Sequence, residues 1–464
     1  MLLLLSNVVC EHNDCKPRKG IQSHVAESWN NKIPLEKIQS IQLSSSLMAS
    51  SVVVDGGLRR TTCRYHREEI TLHSTSDSET EPENDSETGS DSETEPHDAD
   101  QTQEEEPPPG PSSAEGPAPF TGHGEAAQSQ PTTDGNLRIH LVLECEAVVM
   151  ACQFSIDGSL LAVGLADGSI KVYSTDNGDL IRILRDSSSV LPALPVTSLR
   201  FTISAQSHCL LLATYASGRV RCWYVWGGEC VWWVREARDC GGRLGVREQR
   251  QTLCLSISAS GERILTGGCD AAIHIYDLST HQRLQIYRAS SMRTVMDGHC
   301  SRVFAVTFHP ERDTQFISGG WDSTIQFWDT RQEHSVRMFS GPHVCGEALH
   351  IDPSTNQILC GSWRKYNTLE AWDYNSGKKV FDVPEDPHGD SRVYTCHWFG
   401  QDYITAAGGQ SNMLRVVDRH RLTTASRLFG LSAAVYSSAV CLSGKWAGLI
   451  AAASGDSVFL LNRN

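Results

Sequence analysis

Long hydrophobic runs are missing from this sequence of 464 residues, and so are the short motifs that mark several common catalytic folds. After the N-terminus, no stretch approaches the about 18 consecutive apolar residues that a membrane-spanning helix requires. No Cys-x-x-Cys pair has the spacing of a zinc site, and neither a Gly-x-Ser-x-Gly nucleophile turn nor a P-loop occurs. These absences argue against a membrane protein, a zinc module, an α/β-hydrolase and a P-loop nucleotidase.

Cysteine, by contrast, is plentiful, with sixteen residues. Most lie in apolar, strand-like runs, such as Cys152 in MACQF, Cys254 in QTLCLSIS and Cys441 in AVCLSG. Cysteines that serve as small buried hydrophobic residues are typical of a reducing compartment. The N-terminal MLLLLSNVVC lacks the basic segment of a signal peptide, and Ser6 and Asn7 interrupt its apolar run. We therefore expect an intracellular protein that is cytoplasmic, nuclear or both.

Negative charge is concentrated in one segment. Ser74 to Glu106 holds fourteen Asp and Glu and no Lys or Arg, whereas the whole chain has a net charge of −15, so the remainder is close to neutral. Residues 1–135 show no sustained periodicity, and we expect an acidic, Pro-rich disordered region. Two interpretations stay open: a solvating spacer, or a target of acid-directed kinases. The serines followed by acidic residues are Ser76, Ser78, Ser86, Ser90 and Ser92.

From Leu137 onward the sequence consists of short runs of Val, Ile, Leu, Tyr and Trp that are separated by Gly, Asp and Ser turns. This pattern predicts β-strands. One pattern recurs: three apolar strands followed by a fourth. The third strand ends in an aromatic residue in five copies and in an aliphatic residue in the last two. Successive third-strand endings lie 44 to 53 residues apart, and the period of a WD repeat is about 40–45 residues. The seven endings are Tyr173, Trp223, Tyr276, Trp328, Trp372, Val417 and Leu461.

The most complete copy, ISGGWDSTIQFWDTRQ, resembles the WD-repeat β-propeller family. That resemblance implies a buried hydrogen-bond brace in which Gly298-His299, Ser318, Asp322 and Trp328 match the family positions one by one. Donors around a buried carboxylate make such a brace physically reasonable. Asp167 and Asp270 keep the turn aspartate, whereas the other blades are more degenerate.

Ring closure settles the number of blades. Propellers of this family hide their edges by letting an N-terminal strand complete the final blade. Leu137–Glu144 is a strand-like run ahead of the first complete blade, and the chain ends just after the third strand of the last. We therefore predict an all-β fold: residues 136–464 form a seven-bladed WD-repeat β-propeller behind the acidic region.

For function, the resemblance implies a non-catalytic scaffold that binds proteins or peptides, with no cofactor, no metal, no membrane and no direct nucleic-acid contact expected. His299 and Asp322 resemble half of a catalytic triad, but both belong to the brace. In this architecture the tight turns and the loops that join blades share one face. The candidate binding residues on that face are Arg302, Trp321, Trp363, Arg364, Lys365 and Arg392.

Arginine and tryptophan together have the composition of a binding hot spot. The insert from Arg235 to Arg250, with five arginines, belongs to the same face. The alternative for any single residue is that Trp321 caps its blade and the arginines keep the surface soluble. For the face as a whole, binding is the better hypothesis, and one candidate ligand is an acidic or phosphorylated segment, either of a partner or of this protein's own acidic region.

Two further functions stay open. Trp328-Asp329-Thr330-Arg331 resembles a DWD box, which in a subset of WD-repeat proteins marks substrate receptors of the cullin–RING ubiquitin ligase whose adaptor is the large DNA-damage-binding subunit. An exposed Arg331 beside Asp329 would then contact adaptor carboxylates; the alternative is an ordinary solvated arginine. Finally, the acidic region would suit a basic partner such as a histone or ribosomal protein.

Overall fold

In the computed structural model, the described part of the chain is all-β, as predicted: twenty-nine strands form seven antiparallel sheets, and no helix occurs there. In particular, none of the described residues form a helix long and apolar enough to cross a membrane. The described residues are 130–186, 194–202, 209–237, 250–292, 295–389 and 391–463.

The first three blades follow the chain order from the central channel outwards. Strands β1 (Thr132–Asp134) and β2 (Leu137–Glu144) come before them. Blade 1 consists of β3 (Val149–Phe154), β4 (Leu160–Leu165), β5 (Ile170–Ser174) and β6 (Leu180–Leu184). Blade 2 consists of β7 (Val196–Phe201), β8 (Leu210–Tyr215), β9 (Arg219–Tyr224) and β10 (Glu229–Arg235). Blade 3 consists of β11 (Thr252–Ile257), β12 (Arg263–Gly268), β13 (Ile273–Asp277) and β14 (Arg283–Tyr287).

The next three blades repeat the pattern. Blade 4 consists of β15 (Val303–His309), β16 (Arg312–Gly320), β17 (Thr324–Asp329) and β18 (Arg337–Ser340). Blade 5 consists of β19 (Leu349–Ile351), β20 (Gln357–Gly361), β21 (Leu369–Asp373) and β22 (Lys379–Asp382). Blade 6 consists of β23 (Ser391–Phe399), β24 (Tyr403–Gln410), β25 (Leu414–Asp418) and β26 (Thr423–Phe429).

Blade 7 closes the ring as the sequence predicted. Its inner strands are β27 (Val435–Val440), β28 (Ile450–Ser454) and β29 (Ser457–Arg463), and β2 pairs with β29 as the outer strand. Strand β1 was not predicted. It pairs with β26 as a fifth strand of blade 6, just ahead of the boundary that we placed at residue 136.

The core lies between the blades. Each inner strand contacts the inner strands on both sides, and β27 contacts β3, which completes the ring. Among the described residues, seven clusters of buried apolar side chains occur, one at each boundary between neighbouring blades. Both faces of each sheet are therefore covered, which explains why the inner three strands read as nearly continuous apolar runs.

Two faces result from the strand directions. We call the face that carries the turns between second and third strands, together with the connections between blades, the top face. In blade 4 the Trp321 backbone N–H donates to the Arg302 carbonyl at 3.0 Å, which brings the turn and the start of the inner strand together. A side chain on Gly320 would collide with that same carbonyl, so this position requires glycine.

Candidate functional site on the propeller faces

Blade 4 contains a continuous hydrogen-bonded brace. Asp322 Oδ2 and His299 Nδ1 lie 2.7 Å apart, and His299 Nε2 and Ser318 Oγ are also 2.7 Å apart. Trp328 Nε1 donates to the same hydroxyl at 2.7 Å. The four side chains therefore tie the turn, the second strand and the third strand of the blade together.

The histidine and the carboxylate of this brace are enclosed. The side chains of His299 and Asp322 are 0% and 1% exposed. Burial alone would raise the pKa of the Asp322 carboxyl, but the hydrogen bonds from His299, Thr324 and the Cys300 backbone hold that pKa below its ordinary value. The hydrogen-bonding capacity of the pair is used inside the blade, an arrangement that stabilises the fold.

In several other blades, ion pairs replace the brace that the sequence analysis described as degenerate. Two residues before each of the seven third-strand endings named above, the side chain is ionisable in five of the seven blades. In blade 1, Lys171 pairs with Glu146 at 3.1 Å; in blade 2, Arg221 pairs with Asp186. In blade 5, Glu370 accepts from both Arg364 and Lys379. In the sequence, these residues can be recognised as charged side chains within otherwise apolar strands.

Blade 3 has the most deeply buried of these networks. Arg250 Nη1 donates to Glu236 Oε2 at 2.7 Å, with both side chains 0% exposed. Arg250 Nε also donates to Asp270, the turn aspartate, at 2.9 Å, and Glu236 accepts from Thr266 and Tyr276. Burial would raise the pKa of Glu236, but the Arg250 charge lowers it well below its ordinary value. Arg250 therefore braces blade 3 and is not available on the predicted binding face.

A row of half-buried aromatic and arginine side chains runs along the top face of blades 4 to 6. The Arg302 guanidinium lies 5.0 Å from the centre of the Trp321 ring, and the Arg392 guanidinium lies 4.3 Å from that of Trp363. His343 connects the two stacks, because its ring lies 6.2 Å from Trp321 and its carbonyl accepts from the Trp363 backbone N–H. We call these five residues the top arc.

The two arginines of the top arc have no acidic partner among the described residues. The Nε of Arg392 is buried and makes no hydrogen bond within the described part of the chain. Both guanidinium groups are thus fixed by aromatic stacking, while N–H groups remain for a ligand.

The other predicted residues of the top face differ in their exposure and in their contacts. Arg364 is held by Glu370 at 2.8 Å and by Ser362 Oγ at 3.0 Å, so it belongs to the network of blade 5. Lys365 is exposed and lies 4.9 Å from the Tyr366 ring centre. Arg235 is exposed at the end of β10. Residues 238–249 of the insert lie outside the described residues, as do the five serines and the acidic region.

Sequence reasoning missed two tyrosines that extend the top arc. Trp363 Nε1 donates to the Tyr394 hydroxyl at 2.9 Å, and the Tyr394 ring packs edge-on against Tyr436 at 5.2 Å. Both tyrosines sit near the top of inner strands, in blades 6 and 7, where no motif marks them. Burial raises the pKa of Tyr394 to about 12, so the hydroxyl stays protonated at neutral pH.

The DWD-like box lies on the opposite, bottom face, at the end of β17. Arg331 donates to Asp329 through Nε at 2.8 Å and Nη2 at 2.5 Å, while its side chain stays 74% exposed. The hydrogen bonds from Arg331 lower the pKa of the Asp329 carboxyl. Beside the box a polar groove runs between blades 4 and 5, and its lining includes Arg312, Gln315 and Tyr374. The groove was not predicted.

No three His, Cys, Asp or Glu side chains of the described chain come together as a metal ion would require. In the central channel the Arg200 guanidinium of blade 2 pairs with Glu347, which precedes the inner strand of blade 5. This ion pair connects blades that are not neighbours in the ring.

Comparison with known proteins agrees with the repeats. The family model "WD domain, G-beta repeat" matches residues 135–174 and 290–329. Bovine cilia- and flagella-associated protein 52 is 23% identical over 48% of this chain and 32% of its own length. Pre-mRNA-processing factor 19 of Caenorhabditis elegans is 24% identical over 42% of this chain and 37% of its own length. The chain thus spans about a third of these relatives.

A solved structure supports the same architecture. A chain in the crystal structure of the mitotic checkpoint complex superposes with a TM-score of 0.56 and 17% identity, covering 74% of this chain and 96% of that one. At this identity the match concerns the fold alone. Together with the closed ring of seven sheets, it supports one conclusion: this chain folds as a seven-bladed β-propeller and contains two segments that match the WD40 repeat model.

Proposed function

We propose that this propeller is an interaction scaffold whose top arc binds acidic or phosphorylated peptide segments. The observation that carries the proposal is the pair of stacked arginines, Arg302 and Arg392, which lack an acidic partner among the described residues. An aromatic ring below a guanidinium fixes its plane and leaves its N–H edge for bidentate contact with a carboxylate or phosphate.

Partial burial strengthens the case for the top arc. The five residues are half-buried, so an ion pair formed there would be less screened than one on an open surface. The aromatic surface of Trp321 and Trp363 would also contact the apolar parts of a bound peptide. Arg364 contributes little to such binding, because Glu370 already neutralises it.

A binding measurement with charge-reversed variants tests this proposal. The probe is a fluorescein-labelled peptide of Ser-Glu repeats, unmodified or phosphorylated on serine, followed by fluorescence anisotropy. Arg302→Glu and Arg392→Glu should each weaken binding at least about tenfold, since each loses a charge-assisted contact. Arg283→Glu, on the exposed outer strand of blade 3, is the matched control and should bind like the wild type.

The salt dependence provides an independent criterion. Binding through the top arc should weaken as ionic strength rises, because the two charges dominate the interaction. If a Ser-Gln peptide bound equally well, or if all three variants bound like the wild type, the top arc would not be an acidic-peptide site. Thermal denaturation of each variant should match the wild type, which separates lost binding from lost folding.

A second function, substrate receptor of a cullin–RING ligase, is favoured by the geometry of Arg331. Asp329 holds the guanidinium through Nε and Nη2, so the arginine is pre-positioned although it is 74% exposed. The Nη1 edge points away from Asp329 and would suit an adaptor carboxylate. Pre-positioning of this kind reduces the entropy lost on binding.

Affinity purification with mass spectrometry tests the receptor function. Arg331→Glu should abolish co-purification of the large DNA-damage-binding adaptor subunit without lowering the melting temperature. Arg421→Glu, in the corresponding turn of blade 6, is the control and should retain it. Undiminished recovery of the adaptor with Arg331→Glu would remove this function.

Both functions imply protein or peptide partners in the cytoplasm or nucleus. Nine of the twelve cysteines in the described part of the chain are buried, which agrees with small apolar residues in a reducing compartment. The pKa of Cys254 and of Cys360 is raised by burial, so these thiols serve as packed apolar groups.

A further inference from the structure

The outer strand of blade 2 has an unusual exposed side. Along β10 the side chains alternate strictly between exposed and half-buried, and the exposed ones are Glu229, Val231, Trp233 and Arg235. Val231 is 57% exposed and Trp233 58% exposed. An exposed tryptophan of this kind is characteristic of contact surfaces, because keeping a large apolar ring in water costs free energy that burial would recover.

Among the described residues, the backbone edge of β10 is also open. Within its four-stranded sheet β10 pairs with β9 on one side and with no other described strand on the other. Tyr224, the last residue of β9 and 42% exposed, and Trp226, in the turn that follows and 46% exposed, continue the apolar surface. An open edge beside exposed aromatic residues is a template for another strand.

Blade 6 shows that such an edge accepts a strand in this protein. There β1 lies antiparallel along β26, and Asp134 faces Arg427 in the register. The two side chains form an ion pair at 2.5 Å. An opposite-charge pair across the added strand thus fixes its register, as cross-strand pairs do generally.

The exposed side of β10 is complementary to itself when read antiparallel. If Trp232 of one copy lies opposite Trp232 of a second copy, Glu229 faces Arg235 and Val231 faces Trp233, and each pair occurs twice. A shift by two residues in either direction removes both charge pairs and places Glu229 or Arg235 opposite an apolar residue or beyond the strand. One register is therefore strongly preferred.

We propose that β10 is a self-association surface, on which a second copy of this chain pairs antiparallel through a twofold axis at Trp232. The two four-stranded blades then form one continuous eight-stranded sheet. Isologous contacts of this type need a self-complementary patch, and the sequence Glu-x-Val-x-Trp-x-Arg provides one. The top arc and the DWD-like box lie on other parts of the propeller and stay accessible in such a dimer.

Charge reversal of the two end residues provides a selective test. In the variant Glu229→Arg, arginine faces arginine twice in a homodimer; in Arg235→Glu, glutamate faces glutamate twice. When the two variants are mixed, both charge pairs re-form in the heterodimer. The measurement is sedimentation velocity of the full-length proteins over a roughly hundredfold concentration range that spans micromolar dissociation constants.

We expect a concentration-dependent dimer for the wild type, at least about tenfold weaker dimerisation for each single variant, and recovery in the mixture. Trp233→Ala should weaken the dimer too, and Arg283→Glu, on the outer strand of blade 3, should not. A wild type that is monomeric throughout would overturn the proposal, and so would single variants that dimerise normally. A mixture that stays monomeric although each variant melts like the wild type would overturn this register.

Discussion

Asp322 shows how one residue combines burial and charge. Its side chain is 1% exposed, yet four groups donate to it: the His299 ring, the Cys300 backbone N–H, and the backbone N–H and hydroxyl of Thr324. A carboxylate enclosed in this way stabilises the fold only while every donor is in place, because an unpaired buried charge is costly. The residue therefore contributes to stability and has no open side for a substrate.

At this scale we predict that Asp322→Asn lowers the free energy of unfolding by about 1–3 kcal/mol at neutral pH. The folded-state pKa of Asp322 is lowered, so its contribution is complete above the unfolded pKa of about 4 and is lost as the pH falls through the folded pKa. The difference between variant and wild type in urea unfolding should shrink below that pH. Asp456→Asn, in the exposed turn of blade 7, is the control and should cost less; equal losses would contradict the prediction.

Among the individual residues, the sequence located the brace but not the partners of the degenerate blades. The motif spacing of the family is enough to predict the contact between His299 and Asp322, since both residues belong to the same repeat. Glu236 and Arg250 are different: they lie at either end of a long insert, and only the folded chain brings them together. In the same way, Arg392 and Trp363 belong to different blades, so their stacking follows from blade packing and not from a local pattern.

At the scale of the blade, the ion pair of blade 3 and the hydrogen-bonded brace of blade 4 have the same structural role. The third strand must be tied to the loop that leads into its blade, and blade 3 achieves this with Glu236 and Arg250 at 0% exposure. Breaking a buried pair leaves a charge without a partner, which is worse than removing both charges. Blade 3 should therefore respond to single and double substitutions in a non-additive way.

We predict that Arg250→Met destabilises the protein by about 3–5 kcal/mol, because it leaves the buried Glu236 carboxylate without its cation, and that Glu236→Gln destabilises it less, because Asp270 still pairs with Arg250. The double variant should lose clearly less than the sum of the two. Chemical denaturation of the four proteins in a double-mutant cycle measures this coupling. Additive losses would mean that the two side chains do not depend on each other in the folded state.

The elements themselves were well predicted where apolar strands recur. All seven predicted endings lie in third strands, including Val417 in β25 and Leu461 in β29, although neither is aromatic. The repeated apolar pattern survives the loss of the terminal ring, because the strand remains buried on both sides. Strand β1 was missed for a physical reason: three residues cannot show a period, and the strand is specified by pairing with β26, far along the chain.

For the whole molecule, closure of the ring joins the two ends of the propeller. Strand β2 completes blade 7, so the stability of blades 7 and 1 depends on a segment that precedes blade 1 in sequence. Leu143 of β2 is 6% exposed and packs with Cys145, Val149 and Leu460 across the boundary between these blades. Its neighbour Val142 is 46% exposed and therefore provides a control within one strand.

We predict that Leu143→Asp destabilises the protein by at least about 3 kcal/mol, since it places an unpaired carboxylate in the closing interface and removes apolar contacts. Val142→Asp should change stability little, because the new charge stays in water. Thermal denaturation, together with the hydrodynamic radius at low temperature, measures both the loss and any opening of the ring. Two variants of equal stability would show that β2 does not close the propeller. A selective loss with Leu143→Asp would instead show that β2, through the buried side of the strand, closes the propeller.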